Sequence, residues 1–238
     1  MGRVITFAGL PYREAATGVK RAPITGGDMK EMSAEVIRVA RGAALTEDVP
    51  EGSDRYLFTL TGGATVSGRG RSLALAEETF AVIEEGTTLT ITNPNAGETT
   101  LISVLAPPAN SPKRPGFSGG IVAAARATTP VHAVPAEKKQ RIYFVGKGAA
   151  ASERAHAMIV VYDKDTVTSL HMHPNAESMF VFLSGKTRFT VGGKDVIVER
   201  GQATYFPTGD RHGLRVAEGD GVSFLEFHVP AAFVTVKD

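Results

Sequence analysis

The 238-residue chain contains no cysteine. That excludes disulfides, zinc–thiolate sites and thiol nucleophiles, and it suits a reducing compartment. It also lacks any run of about 18 apolar residues, so no segment reads as a bilayer-spanning helix. The start, Met1-Gly2-Arg3-Val4-Ile5-Thr6, has no apolar stretch of the kind a secretory signal needs, and a cytoplasmic protein is expected. Gly2 and Thr6 fit the loose myristoylation pattern, a short match with a high false-positive risk. Surplus charge of one sign is missing too: 26 basic against 25 acidic side chains leave a formal net charge of +1. Nothing there advertises nucleic acid or an anionic membrane as a partner. Helical patterns are scarce, and only residues 31–41 and 122–127 read as locally helical.

What is abundant is punctuation. Gly62 and Gly185 lie 123 positions apart (185 − 62), as do Gly70 and Gly193, Gly86 and Gly209, and Pro107 and Pro230. Phe58-Thr59-Leu60-Thr61-Gly62 overlays Val181-Phe182-Leu183-Ser184-Gly185 without a gap. Turn residues at one constant offset, with matched apolar segments between them, indicate two homologous domains with cores at 36–108 and 159–231. In each half, apolar runs of strand length end in glycine-containing turns, which predicts an all-β chain of sandwiches or small barrels. The chain divides into an N-terminal arm (1–35), a front domain (36–108), a linker or wrapping segment (109–146) and a rear domain (147–238). The linker begins in the proline-rich run from Pro107 to Gly116.

The chemistry concentrates in His171-Met172-His173 and in His212, 39 positions further on (212 − 173). Residues two apart on a strand point to one face, so His171 and His173 aim at a common point. His212 follows Pro207-Thr208-Gly209-Asp210-Arg211, a turn-forming run that can bring a distant strand back. Three neutral imidazoles converging from two strands make a site for a first-row transition metal. The repeat supplies an internal control. At the front positions matching His171, His173 and His212 stand Asp48, Pro50 and Leu89, so the front half is expected to hold no metal.

The same overlay marks polar residues gained in the rear half: Glu226 opposite Ser103, His228 opposite Leu105, and Arg188 opposite Thr65. Glu226 and His228 share a strand face and are candidate acid–base groups, with rim or interface residues as the plainer reading. Arg188, if it points inward, could pair a substrate carboxylate. Phe180 and Phe182 are candidate pocket walls, or simply core. His132 and His156 fall outside the pattern and read as ordinary histidines.

On these residues the chain resembles the cupin superfamily, specifically the two-barrel bicupins. The first cupin motif runs Gly, five residues, His-x-His, three or four residues, Glu, six residues, Gly. The second runs Gly, five residues, Pro-x-Gly, two residues, His. Gly201, Pro207, Gly209 and His212 complete the second motif; His171, His173 and Gly185 supply most of the first. There are two departures. Asp165 replaces the opening glycine, and Ser178 stands where the glutamate is expected. Glu177 is one place off, and on a strand such a shift turns a side chain to the opposite face. Either the loop at Pro174-Asn175-Ala176 absorbs a residue and Glu177 joins the metal, or the site has three histidines only.

The resemblance implies two tandem double-stranded β-helix (jelly-roll) barrels, the front one degenerate and the rear one binding one divalent transition metal. Manganese or iron is favoured; nickel, copper or zinc would also suit. The implied function is a metalloenzyme that binds a small oxygen-rich acid or enol and cleaves or decarboxylates it oxidatively, as cupin oxygenases and oxalate-type decarboxylases do. Two other classes stay open. Bicupins resembling ureidoglycine aminohydrolase also keep metal only in the rear barrel but use it as a Lewis acid, and some cupins bind a metal or metabolite without catalysis. The expected partner is a small-molecule substrate, and a homodimer is compatible with such barrels.

Overall fold

Short runs rich in valine, isoleucine and phenylalanine build strands that are buried on both faces. The computed structural model describes residues 1–108 and 114–237, and of residues 217, 218 and 220 the backbone alone. The middle of the expected linker, 109–113, therefore lies outside the described residues. Among the described residues, the front half, with strands of the arm and of the segment between the barrels, forms a seven-stranded and a four-stranded sheet. Asp54–Thr61 and Thr99–Ala106 lie inside the larger; Thr88–Thr92 and Ala64–Gly68 lie inside the smaller. In the rear half the equivalents are fused into two long strands, Glu177–Val191 and His212–Val229, within one curled ten-stranded sheet. The repeat interval survives in three dimensions: Thr79–Ile83 and Gln202–Phe206 differ by 123 at both ends (202 − 79, 206 − 83).

Two crossing strands lock the halves together. Arg3–Thr6, in the N-terminal arm, pairs antiparallel with Gln202–Phe206 of the rear barrel. Ile121–Ala125, in the segment between the barrels, pairs with the equivalent front strand Thr79–Ile83. Each barrel thus takes a strand from the segment that precedes the other. The rest of the arm, Arg13–Ala16 and Val19–Pro23, extends the front sheet beside Ser33–Val39. Likewise His132–Val134 and Lys139–Val145 extend the rear sheet beside His156–Asp163.

Both stretches that read as locally helical contain strands, Ser33–Val39 and Ile121–Ala125. In the first, Ala34 and Val36 point into one apolar cluster while Ile37 and Val39 point into another. Burial on both faces mimics helical spacing, and sheet pairing overrides it.

Alternation sets the layers. Tyr56, Phe58, Met179 and Val181 face a layer between the barrels, where the Phe80 and Phe144 rings stack at 4.9 Å. Leu57 faces into the front barrel, whose buried core is aliphatic throughout; Phe180 and Phe182 face into the rear barrel among other aromatic rings. The front barrel also differs at the position matching Ser178. Arg55 stands there, buried, donating to the Ser103 hydroxyl (2.8 Å) and paired with Glu35 (3.4 Å) and Glu47 (3.3 Å). With Leu89 in place of His212, a fixed guanidinium and two carboxylates occupy the region that holds imidazoles in the rear barrel.

Candidate metal centre

Strand pairing brings the three histidines together. His171 lies in Val167–Met172, directly opposite His212, the first residue of His212–Val229. His173 shares the face of His171 by strand alternation. Gly209, at φ 80°, shapes the turn before His212, and its N–H donates to the His173 carbonyl at 2.9 Å. A residue without Cβ adopts that backbone conformation at little cost. The three ring centroids stand 4.4, 5.2 and 5.2 Å apart, and one nitrogen from each ring lies within 4.8 Å of the others.

Each ring is held by a backbone carbonyl at Nδ1: His171 by Ser169 (2.8 Å), His173 by Val234 (2.9 Å) and His212 by Asp210 (3.1 Å). A carbonyl only accepts, so Nδ1 carries the hydrogen and Nε2 keeps its lone pair. Among the described residues, the buried Nε2 of His212 has no hydrogen-bond partner. An orphaned buried acceptor is costly, and a cation beside it removes the cost. Burial, with mutual repulsion among the rings, lowers His212 to about 3 and His173 to about 4; burial lowers His171 as well. All three are therefore neutral near pH 7, the form that ligates metal. This donor set fits a divalent transition metal.

Glu177 is directed elsewhere, which corrects its expected place beside the metal. Its carboxylate, 2% exposed, accepts hydrogen bonds from the backbone N–H groups of Lys30, Glu31 (2.9 Å) and Met32 (3.1 Å). It captures the N-terminal arm on the side of the strand that also carries Met179 and Val181. Burial raises its carboxyl group, and the three amides offset part of that rise. The repeat partner behaves alike. Asp54 accepts from the Phe117 N–H (3.0 Å), the Ser152 hydroxyl (2.7 Å), the Tyr56 hydroxyl (3.1 Å) and Arg154 (2.8 Å). An acid at the same repeat position in the half without histidines was the available signal that this carboxylate is structural. Glu177→Gln is accordingly expected to leave metal stoichiometry unchanged. It should lower unfolding free energy by about 2–3 kcal/mol, since a neutral amide offers one acceptor oxygen to three donors. Metal analysis and denaturant titration check both halves of that expectation.

The histidines line a cavity of about 740 Å³ that Glu226 and His228 also enter. The Nε2 of His228 lies 2.5 Å from a Glu226 oxygen, its Nδ1 lies 2.9 Å from the Ser178 hydroxyl, and its ring stacks on Phe233 at 3.9 Å. Burial by itself would raise the Glu226 carboxyl. The hydrogen bond and charge of His228, with His156 and His173, outweigh it and hold the group at about 2. Phe180 lines the cavity with its ring 5.5 Å from that of His212. Phe182 is fully buried and packs against Phe189 and Phe224 in the core, so it is no pocket wall. Arg188 is exposed on the outer surface, in a separate groove with Asp195 and Arg215. Register shifts between Phe182 and Thr187 reverse which residues face inward, so Phe189 points in and Arg188 out.

Other residues complete the cavity without any motif to announce them. His156 sits across the strand pair from His228, ring centroids 6.4 Å apart, and burial chiefly lowers it to about 4. His132 is exposed against Tyr143. Lys139, Arg141, Lys147 and Lys237 line the cavity, against Glu137 and Glu226. The last residues form a strap in which Ala231, Phe233, Thr235 and Lys237 reach the cavity in alternation. Asn175 clips the strap at the Ala232 carbonyl (2.8 Å) and the Val234 N–H (2.8 Å), and the Val234 carbonyl is the one that orients His173.

Comparison with known proteins agrees with this architecture. Residues 158–228 match the Cupin domain family (Cupin_2). No curated protein matches the sequence significantly. Among solved structures, protein Ylba from E. coli superimposes with TM-score 0.76 at 12% identity, over 96% of this chain and 90% of that one. A putative glyoxylate-induced protein from Pseudomonas aeruginosa gives 0.75 at 16% identity, over 100% and 91%. The Lactobacillus farciminis oxalate decarboxylase, solved as a formate complex, gives 0.72 at 14% identity, over 98% and 88%. Likeness at these identities concerns the fold. Residues 158–228 of the rear half thus match a cupin domain, and along nearly its full length the chain shares the fold of these solved structures.

Proposed function

We propose that this chain is a mononuclear metal-dependent enzyme that oxidatively cleaves or decarboxylates a small oxygen-rich organic acid or enol. One pairing carries the reading: a single cavity holds three neutral imidazoles aimed at a common point and a hydrogen-bonded Glu226–His228 couple beside them. A metal store needs the first and has no use for the second. In this reading His171, His173 and His212 are the ligands. Imidazoles without a carboxylate favour iron over manganese. Manganese is the second choice, since the oxalate decarboxylase of Bacillus subtilis, which shares this fold, has Mn(II) centres. The metal would supply Lewis acidity and redox chemistry at open coordination positions.

The protein's own groups do the rest. Glu226 stays ionised through the working range, so it accepts a proton and does not start as a donor. His228 holds that carboxylate in place through the 2.5 Å contact, and Ser178 holds His228. Phe180 and Phe233 keep water from the imidazoles. Four cationic side chains draw an anion inward although the whole chain is close to neutral. A cysteine-free chain suits a reducing interior, and the cytoplasm is the compartment proposed.

The test begins with the metal in the protein as isolated. Iron, with oxygen consumed when an accepted acid is added, supports the reading. Tightly held zinc or manganese with oxygen-independent turnover replaces it with a Lewis-acid hydrolase or isomerase. Glu226→Gln is expected to lower kcat by about 10²–10⁴-fold while metal content stays at the wild-type level.

A further inference from the structure

A two-carbon acid does not account for the size of this cavity or for where its charges lie. Strand register orders the wall. His156, His228 and Ser178 form one row across the sheet; Tyr143, Met158, Glu226 and Phe180 form the next. Arg141, Val160 and Phe224 follow, and then Lys139 and Tyr162. Alternate residues of a strand are about 7 Å apart, so the Arg141 row lies roughly 14 Å along the barrel from the row of His156 and His228, before side-chain reach shortens the gap; the His228 ring in turn stands 4.6 Å from that of His173. Between the two rows Met158, Val160, Phe180, Leu214 and Phe224 present an apolar stripe, with the Glu226 carboxylate and the Tyr143 hydroxyl beside it.

The cation at the far end is poorly satisfied by the protein. Among the described residues, the Arg141 guanidinium donates one long hydrogen bond, 3.5 Å to the Tyr143 hydroxyl, stands 3.8 Å from Glu137 and feels the charge of Glu226. A guanidinium has five N–H donors in a planar fork that matches a carboxylate, so most of its capacity is open to a ligand. Glu137 is held mainly by Lys139, which leaves Arg141 the more available of the two.

We infer, resting on the function proposed above, that the substrate is a two-headed acid. One oxygen-rich head lies at the three histidines, a second carboxylate lies on Arg141, and an apolar span of several carbons runs between them. Arg141 is then a specificity residue that selects length and the second charge. A two-carbon diacid would leave both the apolar wall and Arg141 uncovered.

Calorimetric titration of the full chain loaded with nickel tests this, with 2-oxoadipate, 2-oxohexanoate and oxalate as probes. The first two share a six-carbon backbone and differ in the distal carboxylate. Wild-type protein is expected to bind 2-oxoadipate at least about tenfold tighter than 2-oxohexanoate, the worth of a charge-assisted hydrogen-bonded pair. Arg141→Met should bring the ratio to about one, and Arg141→Lys should restore part of it. Equal binding of the two in wild type, a ratio untouched by Arg141→Met, or oxalate binding as tightly as 2-oxoadipate overturns the inference. Adipate against hexanoate on metal-free protein separates the two readings. Preference for adipate in a protein that takes up no metal sinks the metal reading and supports the distal site. Metal uptake without any diacid preference sinks the distal site alone.

Discussion

His212→Ala is expected to cut bound metal to below about one tenth of the wild-type stoichiometry, because two imidazoles hold a divalent ion far more weakly than three. His212 is the most telling of the three positions. It is 1% exposed, its Nε2 has no hydrogen-bond partner among the described residues, and Phe206 stacks on its ring at 4.4 Å. Truncation removes that packing, a cost of about 2–3 kcal/mol for a buried ring of this size, partly offset by the loss of an orphaned acceptor. A folded variant without metal is therefore the expected product. Elemental analysis after dialysis reads the metal, and circular dichroism with a thermal melt confirms the fold. Unchanged metal content in folded His212→Ala would remove the ion from this site. The contrast with Glu177→Gln sharpens the test, since that change should cost stability and spare the metal.

Mild acid is expected to destabilise the metal-free protein, beginning as pH falls below the ordinary histidine value. The ordinary histidine value is 6.5, whereas the fold lowers His156 and His173 to about 4 and His212 to about 3. Between those limits the unfolded chain binds more protons than the folded one, so stability rises with pH there. The contribution is complete above about 6.5 and drains away as pH falls toward 4 and then 3. Glu226, lowered to about 2 from 4.5, acts in the same direction further down: its share is present above 4.5 and is lost as pH falls toward 2. Glu177 opposes them, because its raised carboxyl favours the fold when protonated and loses that share as pH rises. A tenfold difference in proton affinity between the folded and unfolded chain corresponds to about 1.4 kcal/mol, and three neighbouring rings put the loss between pH 7 and 4.5 at several kcal/mol. That is a large part of the stability of an ordinary domain. Urea titrations at pH 7, 5.5 and 4.5 measure it. A flat profile would mean that the rings are not held neutral in the fold. With metal bound, protons compete for the same Nε2 atoms, so metal release should track the same window.

Much of the centre was legible from spacing because spacing is all that a strand needs to set direction. His171 and His173 share a face by period, the turn at Pro207 to Asp210 returns His212, and the constant interval separates two barrels, one with imidazoles and one with Leu89 and Arg55. Glu177 misled because a one-residue offset decides the face, and motif counting alone does not say which side the arm crosses. Asp54, its counterpart, carried that information. Arg188 failed for a related cause: bulges after Phe182 invert the alternation, and no residue type marks them in the sequence.

By itself, then, the order of residues determined the all-β character, the duplication and the convergence of the three histidines, since each depends on local periodicity or on turn chemistry. Which strands cross between barrels, why His156 and Arg141 share a cavity with those histidines, and that residues 231–237 wall it were decided only by tertiary structure. The physical reason is that a barrel wall is assembled from strands far apart in sequence, so its lining depends on pairing partners and register.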